Sequence, residues 1–235
     1  MSLLRSVQPE ILDHMPADDA RAVRARRDLK RVNAVILQTG IMARLLAAHW
    51  GEAAPRTILD LGTGDGAFML TVARALKARW SGVTVTLLDR QSIVSRQTQD
   101  AFAALGWTAE PVAGDVLAYL EALPPASVDI ITANLFLHHF TEAQLTRLLE
   151  LAAQAAPLLV ACEPRRNKFA LRSSRLLWAI GFNEVALHDA IVSVRAGFGG
   201  QELSALWPRD SGFDLEEHRA RLFTHCFVAH RRGRG

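Results

Sequence analysis

Short apolar segments alternate with segments of helical periodicity between residues 57 and 161, and this alternation constrains the fold more than any other feature of the chain. The five predicted strands are 57–61, 83–88, 109–112, 128–133 and 158–161. The helices predicted between them are 67–80, 92–105, 116–123 and 142–155. Because strands joined by helical crossovers pair in parallel with right-handed connections, the pattern predicts a doubly wound α/β fold with helices on both faces of the sheet.

The segments on either side of this alternation add helices and extend the predicted sheet. Residues 17–50 lack proline and carry apolar side chains at helical spacing, which predicts one or two helices before the first strand. Residues 169–194 and 199–207 are also predicted to be helical. Residues 213–219 and 223–230 are predicted to form an antiparallel hairpin at the sheet edge. The expected sheet is therefore seven-stranded, mostly parallel, with a C-terminal antiparallel hairpin and an N-terminal helical extension.

Length and composition fit one globular unit. The chain has 235 residues, of which 50% are hydrophobic and 22% charged, and this size is ordinary for a doubly wound sheet with additions. We expect an N-terminal helical cap over 1–54, followed by an α/β domain over 55–235. The longest apolar stretch, 148–162, is interrupted by polar residues and by Pro157, so no membrane span is predicted. The N-terminus lacks the pattern of a secretory signal, so a cytoplasmic location is expected.

The cysteines and the charge distribution give no sign of a metal or nucleic-acid partner. Cys162 and Cys226 are too few and too distant in sequence for a disulfide framework or a zinc site, and we interpret them as reduced core thiols. The formal net charge is +3, with the arginines spread along the chain. We interpret the basic clusters at 21–31 and 230–234 as a solvated helix face and a chain terminus, so no nucleic-acid partner is expected.

A glycine-rich turn follows the first predicted strand, where residues 60–67 read Asp-Leu-Gly-Thr-Gly-Asp-Gly-Ala. Glycines here permit positive φ and let backbone N–H groups approach a ligand at the start of the next helix. The turn also reads Gly-x-Gly-x-x-Ala, ending at Ala67, a spacing that dinucleotide-binding folds tolerate. By itself the turn predicts a polar ligand and leaves two classes of cofactor open.

From about residue 57 to 164 the sequence resembles the class I, Rossmann-like S-adenosylmethionine-dependent methyltransferases of the small-molecule type. The first motif of that family is an acid followed by G-x-G-x-G, matched here by Asp60, Gly62, Gly64 and Gly66. The resemblance implies that S-adenosylmethionine is the cofactor. It also implies that the acid after the second strand, Asp89 with Arg90 beside it, takes the ribose hydroxyls, since a carboxylate can accept both hydroxyl hydrogens.

The resemblance extends to the third and fourth strands. It places Asp115, followed by Val116, near the adenine amino group, and it places Asn134 in the segment after the fourth strand. That segment ends in Leu-His-His-Phe at 137–140, an ending common among the small-molecule members. These residues complete the predicted cofactor site.

Other interpretations stay open for these acids and for the turn. Asp89 and Asp115 could simply cap the helices that follow them. Five side chains or turns nevertheless follow five different strands at the edge where α/β sheets bind ligands, namely Gly62, Asp89, Asp115, Asn134 and Glu163. A nicotinamide-dependent oxidoreductase is the alternative enzyme, and a cofactor- or RNA-binding module without activity is the third hypothesis. The terminal hairpin and the Leu-His-His-Phe segment favour methyl transfer.

The expected mechanism depends on positioning, because the methyl group of a sulfonium donor is already activated. This chemistry requires no metal, and no metal site is predicted. A base that removes a proton from the acceptor would assist, and the candidates are His138, His139 and His188. The alternatives are that these histidines pack structurally and that positioning alone suffices.

Residues 165–198 are more than the core fold needs, and we predict a helical insertion that forms a lid over the acceptor. Its apolar side chains are Leu176, Leu177, Trp178, Ile180, Phe182, Val185 and Val192. An ordinary core or the interface of a homodimer is the alternative for this apolar set. The sequence thus predicts O-methylation of a small hydrophobic or aromatic acceptor, with C-methylation of an electron-rich ring as the nearest variant.

Overall fold

The computed structural model describes residues 3–16, 19–35, 38–91, 93–175 and 183–233. The helices are α1 (Ala20–Val35), α2 (Gln38–Trp50), α3 (Ala67–Leu76), α4 (Arg96–Ala103), α5 (Val116–Ala122), α6 (Glu142–Ala155), α7 (Lys168–Arg175), α8 (Glu184–Ala196) and α9 (Glu202–Leu206). The strands are β1 (Thr57–Leu61), β2 (Thr84–Asp89), β3 (Thr108–Ala113), β4 (Ile130–Asn134), β5 (Leu158–Pro164), β6 (Phe213–Ala220) and β7 (Thr224–Arg231). Two 3₁₀ turns lie at Ile11–Asp13 and Leu137–His139.

All seven strands form one sheet in the order β3-β2-β1-β4-β5-β7-β6. The strands from β1 to β5 pair in parallel, whereas β7 runs antiparallel to β5 and β6 runs antiparallel to β7. The chain order reverses at β1, which lies between β2 and β4, and α/β sheets bind ligands at such a switch point. The predicted fold class, including the C-terminal hairpin, is confirmed.

Apolar side chains cover both faces of the sheet. Every residue of β5 is buried, as expected for a strand with neighbours on both sides and layers above and below. One core cluster joins α6 to Leu59 and Leu159 on one face, and the other joins Met42 and Leu46 of α2 to Ile58 on the opposite face. Thus α2 packs on the sheet itself, although it lies in the range predicted as a cap, and the division of the chain at residue 54 stays a prediction.

Side-chain N-caps mark where two of the helices begin. The helix predicted over 92–105 starts later, after Ser95, whose hydroxyl accepts a hydrogen bond from the Thr98 backbone N–H at 3.1 Å. In the stretch predicted as helical over 169–194, α8 starts after Asn183, whose side-chain oxygen accepts from the Ala186 N–H at 2.8 Å.

None of the helices in the described ranges is long and apolar enough to cross a lipid bilayer.

Cys162 and Cys226 face each other across β5 and β7 in direct register. Their sulfur atoms are 4.0 Å apart, and both thiols are buried and free. This agrees with their interpretation as core thiols. The sequence did not predict this contact, because it arises only from the antiparallel pairing of β7 with β5.

Gly197, just after α8, provides a test of the packing at the end of β5, because a Cβ atom there would lie 2.2 Å from the Pro164 carbonyl oxygen. We expect Gly197→Ala to lower the free energy of unfolding by about 2 kcal/mol, since backbone must move to relieve the overlap. Gly199→Ala is the matched control, because its Cβ would come no closer than 3.9 Å to its neighbours. Urea denaturation measures both variants, and equal stabilities would contradict the close packing.

Candidate functional site

The carboxyl ends of the parallel strands open on a cavity of about 650 Å³. Six of the predicted cofactor residues line this cavity, namely Gly62, Gly64, Asp89, Arg90, Asp115 and Val116. The other three, Asp60, Gly66 and Asn134, lie behind or beside the lining. The loops after β1, β2, β3 and β4 therefore converge on one site, as the strand order requires.

The glycine-rich turn has the backbone conformation predicted for it. Gly62, Gly64 and Gly66 have φ values of +67°, +59° and +74°, a region that side chains disfavour. A Cβ at Gly62 would also lie 2.1 Å from the Phe136 ring. Only glycine fits at that position, and the backbone of the turn is left facing the cavity.

Asp89, the last residue of β2, is fixed by the backbone around it. One carboxylate oxygen accepts a hydrogen bond from the Gly64 N–H at 2.8 Å, and the other accepts from the Gln91 N–H at 2.9 Å. Each carboxylate oxygen can accept more than one hydrogen bond. The side chain therefore ties the glycine turn to β2 and still presents acceptor capacity to the cavity that it lines.

Asp115 caps the helix that follows it and also lines the cavity. Its Oδ1 atom caps α5 by accepting from the N–H groups of Leu117 at 2.9 Å and Ala118 at 3.2 Å. The residue is also exposed and lines the cavity, with Val116 next to it. The hydrogen bonds that cap α5 therefore fix the Asp115 carboxylate at the edge of the cavity.

Asp60 lies beneath the turn, where the Thr132 hydroxyl donates a hydrogen bond of 2.7 Å to it. Burial raises the pKa of this carboxyl to about 6, with the nearby charge of Asp89 acting in the same direction and the Thr132 hydroxyl opposing it. Gly66 is the N-cap of α3. Asn134 ends β4, and its buried side-chain oxygen has no hydrogen-bond partner among the described residues.

The three predicted histidines occupy different places. His139 lines the cavity, and His138 is buried next to it, with 4.3 Å between the ring centroids. His188 lies on α8 with 48% of its side chain exposed, and its Nδ1 is 3.1 Å from the carboxylate of the adjacent Asp189. His188 is not among the cavity-lining residues, so the fold brings only two of the three histidines together.

His138 lies between two buried carboxylates. Its Nδ1 is 2.8 Å from Oε2 of Glu163, and its Nε2 is 3.3 Å from Oε1 of Glu10. Burial alone would lower the pKa of His138, but the hydrogen bonds with Glu10 and Glu163 outweigh burial and raise the pKa to about 9. The imidazole is therefore a cation at neutral pH in this arrangement.

The N-terminal segment, residues 3–14, forms the outer wall of the cavity; the sequence analysis included it in a helical cap and named none of its residues as lining a site. Its wall residues include Val7, Pro9 and Leu12. Arg5 anchors the segment by donating hydrogen bonds to the carbonyl oxygens of Ala196 at 2.8 Å and Phe140 at 2.9 Å. The segment has no periodic pattern of its own, so only the acid at Glu10, next to the apolar Ile11 and Leu12, could have drawn attention to it.

Helix α8 holds this segment in place. The Asp189 carboxylate accepts hydrogen bonds from the N–H groups of Ile11 at 2.8 Å and Leu12 at 3.1 Å. The Ser193 hydroxyl donates to the Glu10 carboxylate. Asp189 thus binds the backbone of the N-terminal segment and also contacts the adjacent His188.

The predicted lid over 165–198 is only partly within the described residues. Leu176, Leu177, Trp178, Ile180 and Phe182 lie outside them. Val185 is buried against Leu12 and Met15 of the N-terminal region, and Val192 is also buried. The described part of the insertion supports the wall of the cavity, and none of its described residues lines the cavity.

Comparisons with known proteins show which domain and which folds this chain is similar to. Residues 58–156 match the family model described as a methyltransferase domain. An O-methyltransferase family protein from Burkholderia thailandensis is 20% identical over 93% of this chain and 62% of that chain, with a TM-score of 0.60. The plantazolicin methyltransferase BpumL, solved with S-adenosylhomocysteine, is 12% identical over 92% of each chain, with a TM-score of 0.62.

A third similar structure, the mitomycin 7-O-methyltransferase MmcR, is 20% identical over 91% of this chain and 58% of that chain, with a TM-score of 0.58. At these identities the structures share the fold. The chain spans about 60% of the length of the Burkholderia protein and of MmcR. No curated protein matches the chain in sequence.

Residues 58–156 thus match a methyltransferase domain, and the described fold is shared with known methyltransferases. The plantazolicin methyltransferase with this fold was solved with S-adenosylhomocysteine, the product form of the cofactor that the glycine-rich turn and its resemblance implied. The alternative of a nicotinamide cofactor at the same turn finds no support in the match.

The burial of Asp60 predicts that the stability of the folded chain depends on pH. The pKa of the Asp60 carboxyl is about 6 in the folded chain, against an ordinary value of 3.8. Between these two values the folded state holds a proton that the unfolded chain has lost. The free energy of unfolding therefore falls as pH rises from about 4 to about 7. Asp60→Asn should remove about 3 kcal/mol of this fall. Denaturation at several pH values measures it, with the exposed Asp214→Asn as control. Parallel profiles for Asp60→Asn and the unaltered chain would contradict the burial argument.

Proposed function

We propose that this protein transfers a methyl group from S-adenosylmethionine to an oxygen atom of a small, hydrophobic or aromatic acceptor. The observation that carries the proposal is the composition of the cavity. Its inner side is the glycine turn with Asp89, and its outer side is largely apolar, with two imidazoles, those of His14 and His139, and two side-chain amides. A donor site and an acceptor wall thus adjoin in a single space.

The residues on the inner side fit the cofactor. The backbone of Gly62 and Gly64 is open to the cavity because no side chain occupies it, and Asp89 presents carboxylate oxygens at the end of β2. We assign Asp89 and Arg90 to the ribose side and Asp115 and Val116 to the adenine side. When bound, the cofactor supplies an activated methyl group, and the chain has only to hold it and the acceptor in line.

The outer side fits an apolar acceptor. Val7, Pro9 and Leu12 of the N-terminal segment face the cavity, as do Phe136 and Phe140 after β4. The two phenylalanine rings meet edge to face with 5.0 Å between centroids. Such a wall favours a flat hydrophobic molecule and excludes water from its surface.

His139 is the residue that we propose to promote loss of the acceptor's proton. It lies on a 3₁₀ turn whose backbone is fixed, because Glu163 accepts hydrogen bonds from the N–H groups of Phe136 at 3.0 Å and Leu137 at 2.8 Å. His138 is enclosed by carboxylates, and we assign it a positioning role. His188 stands outside the cavity and is the alternative.

The names of the similar structures support transfer to oxygen. Two of the three are described as an O-methyltransferase family protein and a 7-O-methyltransferase. The acceptor and the methylated atom are tested by incubating the chain with S-adenosylmethionine and a panel of phenols, followed by mass spectrometry and NMR of the product. A carbon-bound methyl group would replace the O-directed proposal with its nearest variant.

The cofactor assignment predicts the effect of changing Asp89. Asp89→Ala should weaken binding of S-adenosylhomocysteine about 100-fold, since it removes charged hydrogen-bond acceptors. Asp89→Asn, which keeps one acceptor oxygen, should weaken it less. Isothermal titration calorimetry measures both, and thermal melting checks the fold. Unchanged affinity in a folded Asp89→Ala variant would place the ribose elsewhere.

The assignment of His139 predicts a loss of turnover without a loss of cofactor. His139→Gln should lower kcat by about 100-fold or more, while the dissociation constant for S-adenosylhomocysteine stays unchanged. His218→Gln, on the exposed face of β6, is the matched control and should keep full activity. Full activity in His139→Gln together with a loss in His188→Gln would transfer the role to His188.

A further inference from the structure

Three ligand-type side chains meet where the N-terminal segment touches the turn after β4. Glu10, His138 and His139 each offer one ligand atom, and these three atoms lie within 4.8 Å of one another. Glu10 and His138 are buried, while His139 is partly exposed at the cavity. Two imidazoles and one carboxylate are a donor set that zinc takes in proteins.

The spacing between Glu10 and His138 is long for a charge-assisted hydrogen bond and matches that of two ligands of one metal ion. Their oxygen and nitrogen atoms are 3.3 Å apart, whereas the buried His225–Glu217 pair closes to 2.7 Å. A charge-assisted hydrogen bond is normally about 2.7–2.9 Å. Two ligands of a tetrahedral zinc ion, each about 2.0–2.1 Å from the metal, lie about 3.3 Å apart.

The groups around the three ligands are those that orient metal ligands. His138 uses its other ring nitrogen toward Glu163 at 2.8 Å, and metal-bound histidines commonly donate their second N–H to a carboxylate. The Ser193 hydroxyl donates to Glu10 and restricts that side chain. These contacts direct Nε2 of His138 and the Glu10 carboxylate toward each other.

We propose that Glu10, His138 and His139 bind a divalent cation of the zinc type, with one coordination position open to the cavity; the cation replaces the Nε2 proton of His138, which is released to water. His139 completes the set by a rotation of its partly exposed side chain. The open position faces the apolar wall, where it would take the acceptor's oxygen atom.

The catalytic use of the site depends on the proposed O-directed function, whereas metal binding does not. A hydroxyl bound to the ion loses its proton to water more readily, because the cation stabilises the oxygen anion that remains. This would be the way in which His139 promotes loss of the acceptor's proton. The ion adds to the predicted mechanism, which required no metal.

The test uses the untagged full chain after removal of metals with a chelator. Calorimetry with Zn²⁺ and visible absorption with Co²⁺ should show one ion per chain in a tetrahedral environment. Glu10→Gln and His139→Gln should each weaken Zn²⁺ binding about 100-fold, and Glu163→Gln about 10-fold, as expected for a ligand-orienting group. His218→Gln, at an exposed histidine, should bind Zn²⁺ as the unaltered chain does.

Two readouts separate this proposal from the proposed function. Binding of S-adenosylhomocysteine is measured on the same samples, and circular dichroism confirms that each variant is folded. If the chain binds S-adenosylhomocysteine but binds Zn²⁺ no better than folded His139→Gln and Glu10→Gln do, the metal site is wrong and the three side chains form an ion pair only. If Zn²⁺ binds as expected while S-adenosylhomocysteine does not, the metal site stands and the proposed function fails.

Discussion

The buried carboxylate of Glu163 is the group on which the geometry of the site depends. It lies at the end of β5, fully shielded from water, and accepts hydrogen bonds from the backbone N–H groups of Phe136 and Leu137 as well as pairing with the His138 ring. A buried charge is tolerated only when it is paired and hydrogen-bonded in this way. The chain after β4 is consequently held to β5, with Phe136 over the glycine turn and His139 at the cavity.

The second constraint is the N-terminal segment, which is attached through buried acids as well. Asp189 accepts two backbone N–H groups from it, and its own Glu10 reaches His138 and Ser193. Detaching the segment would leave several buried polar groups without partners, at a cost of about 1–3 kcal/mol for each. The outer wall of the cavity is thus a fixed part of the fold, although it contains little regular secondary structure.

The cavity is formed partly by residues within the range that matches the methyltransferase domain and partly by residues outside it. The glycine turn, Asp89 and Asp115 lie within residues 58–156, the range that matches the methyltransferase domain. The apolar wall at 7–12 and the helix α8 that supports it lie outside that range. The proposed donor side of the cavity therefore lies within the matched domain, whereas part of the proposed acceptor side lies outside it.

The sequence by itself determined the seven-stranded sheet, the conformation of the glycine turn and the places of Asp89 and Asp115, because each follows from local periodicity or from the residue at the end of a strand. The tertiary structure alone decided that Glu10 meets His138, that His188 lies outside the cavity and that Asp189 holds backbone. Those contacts join residues more than a hundred positions apart. No local pattern records them, since they arise only when the packed sheet brings α8 and the N-terminal segment to the same edge.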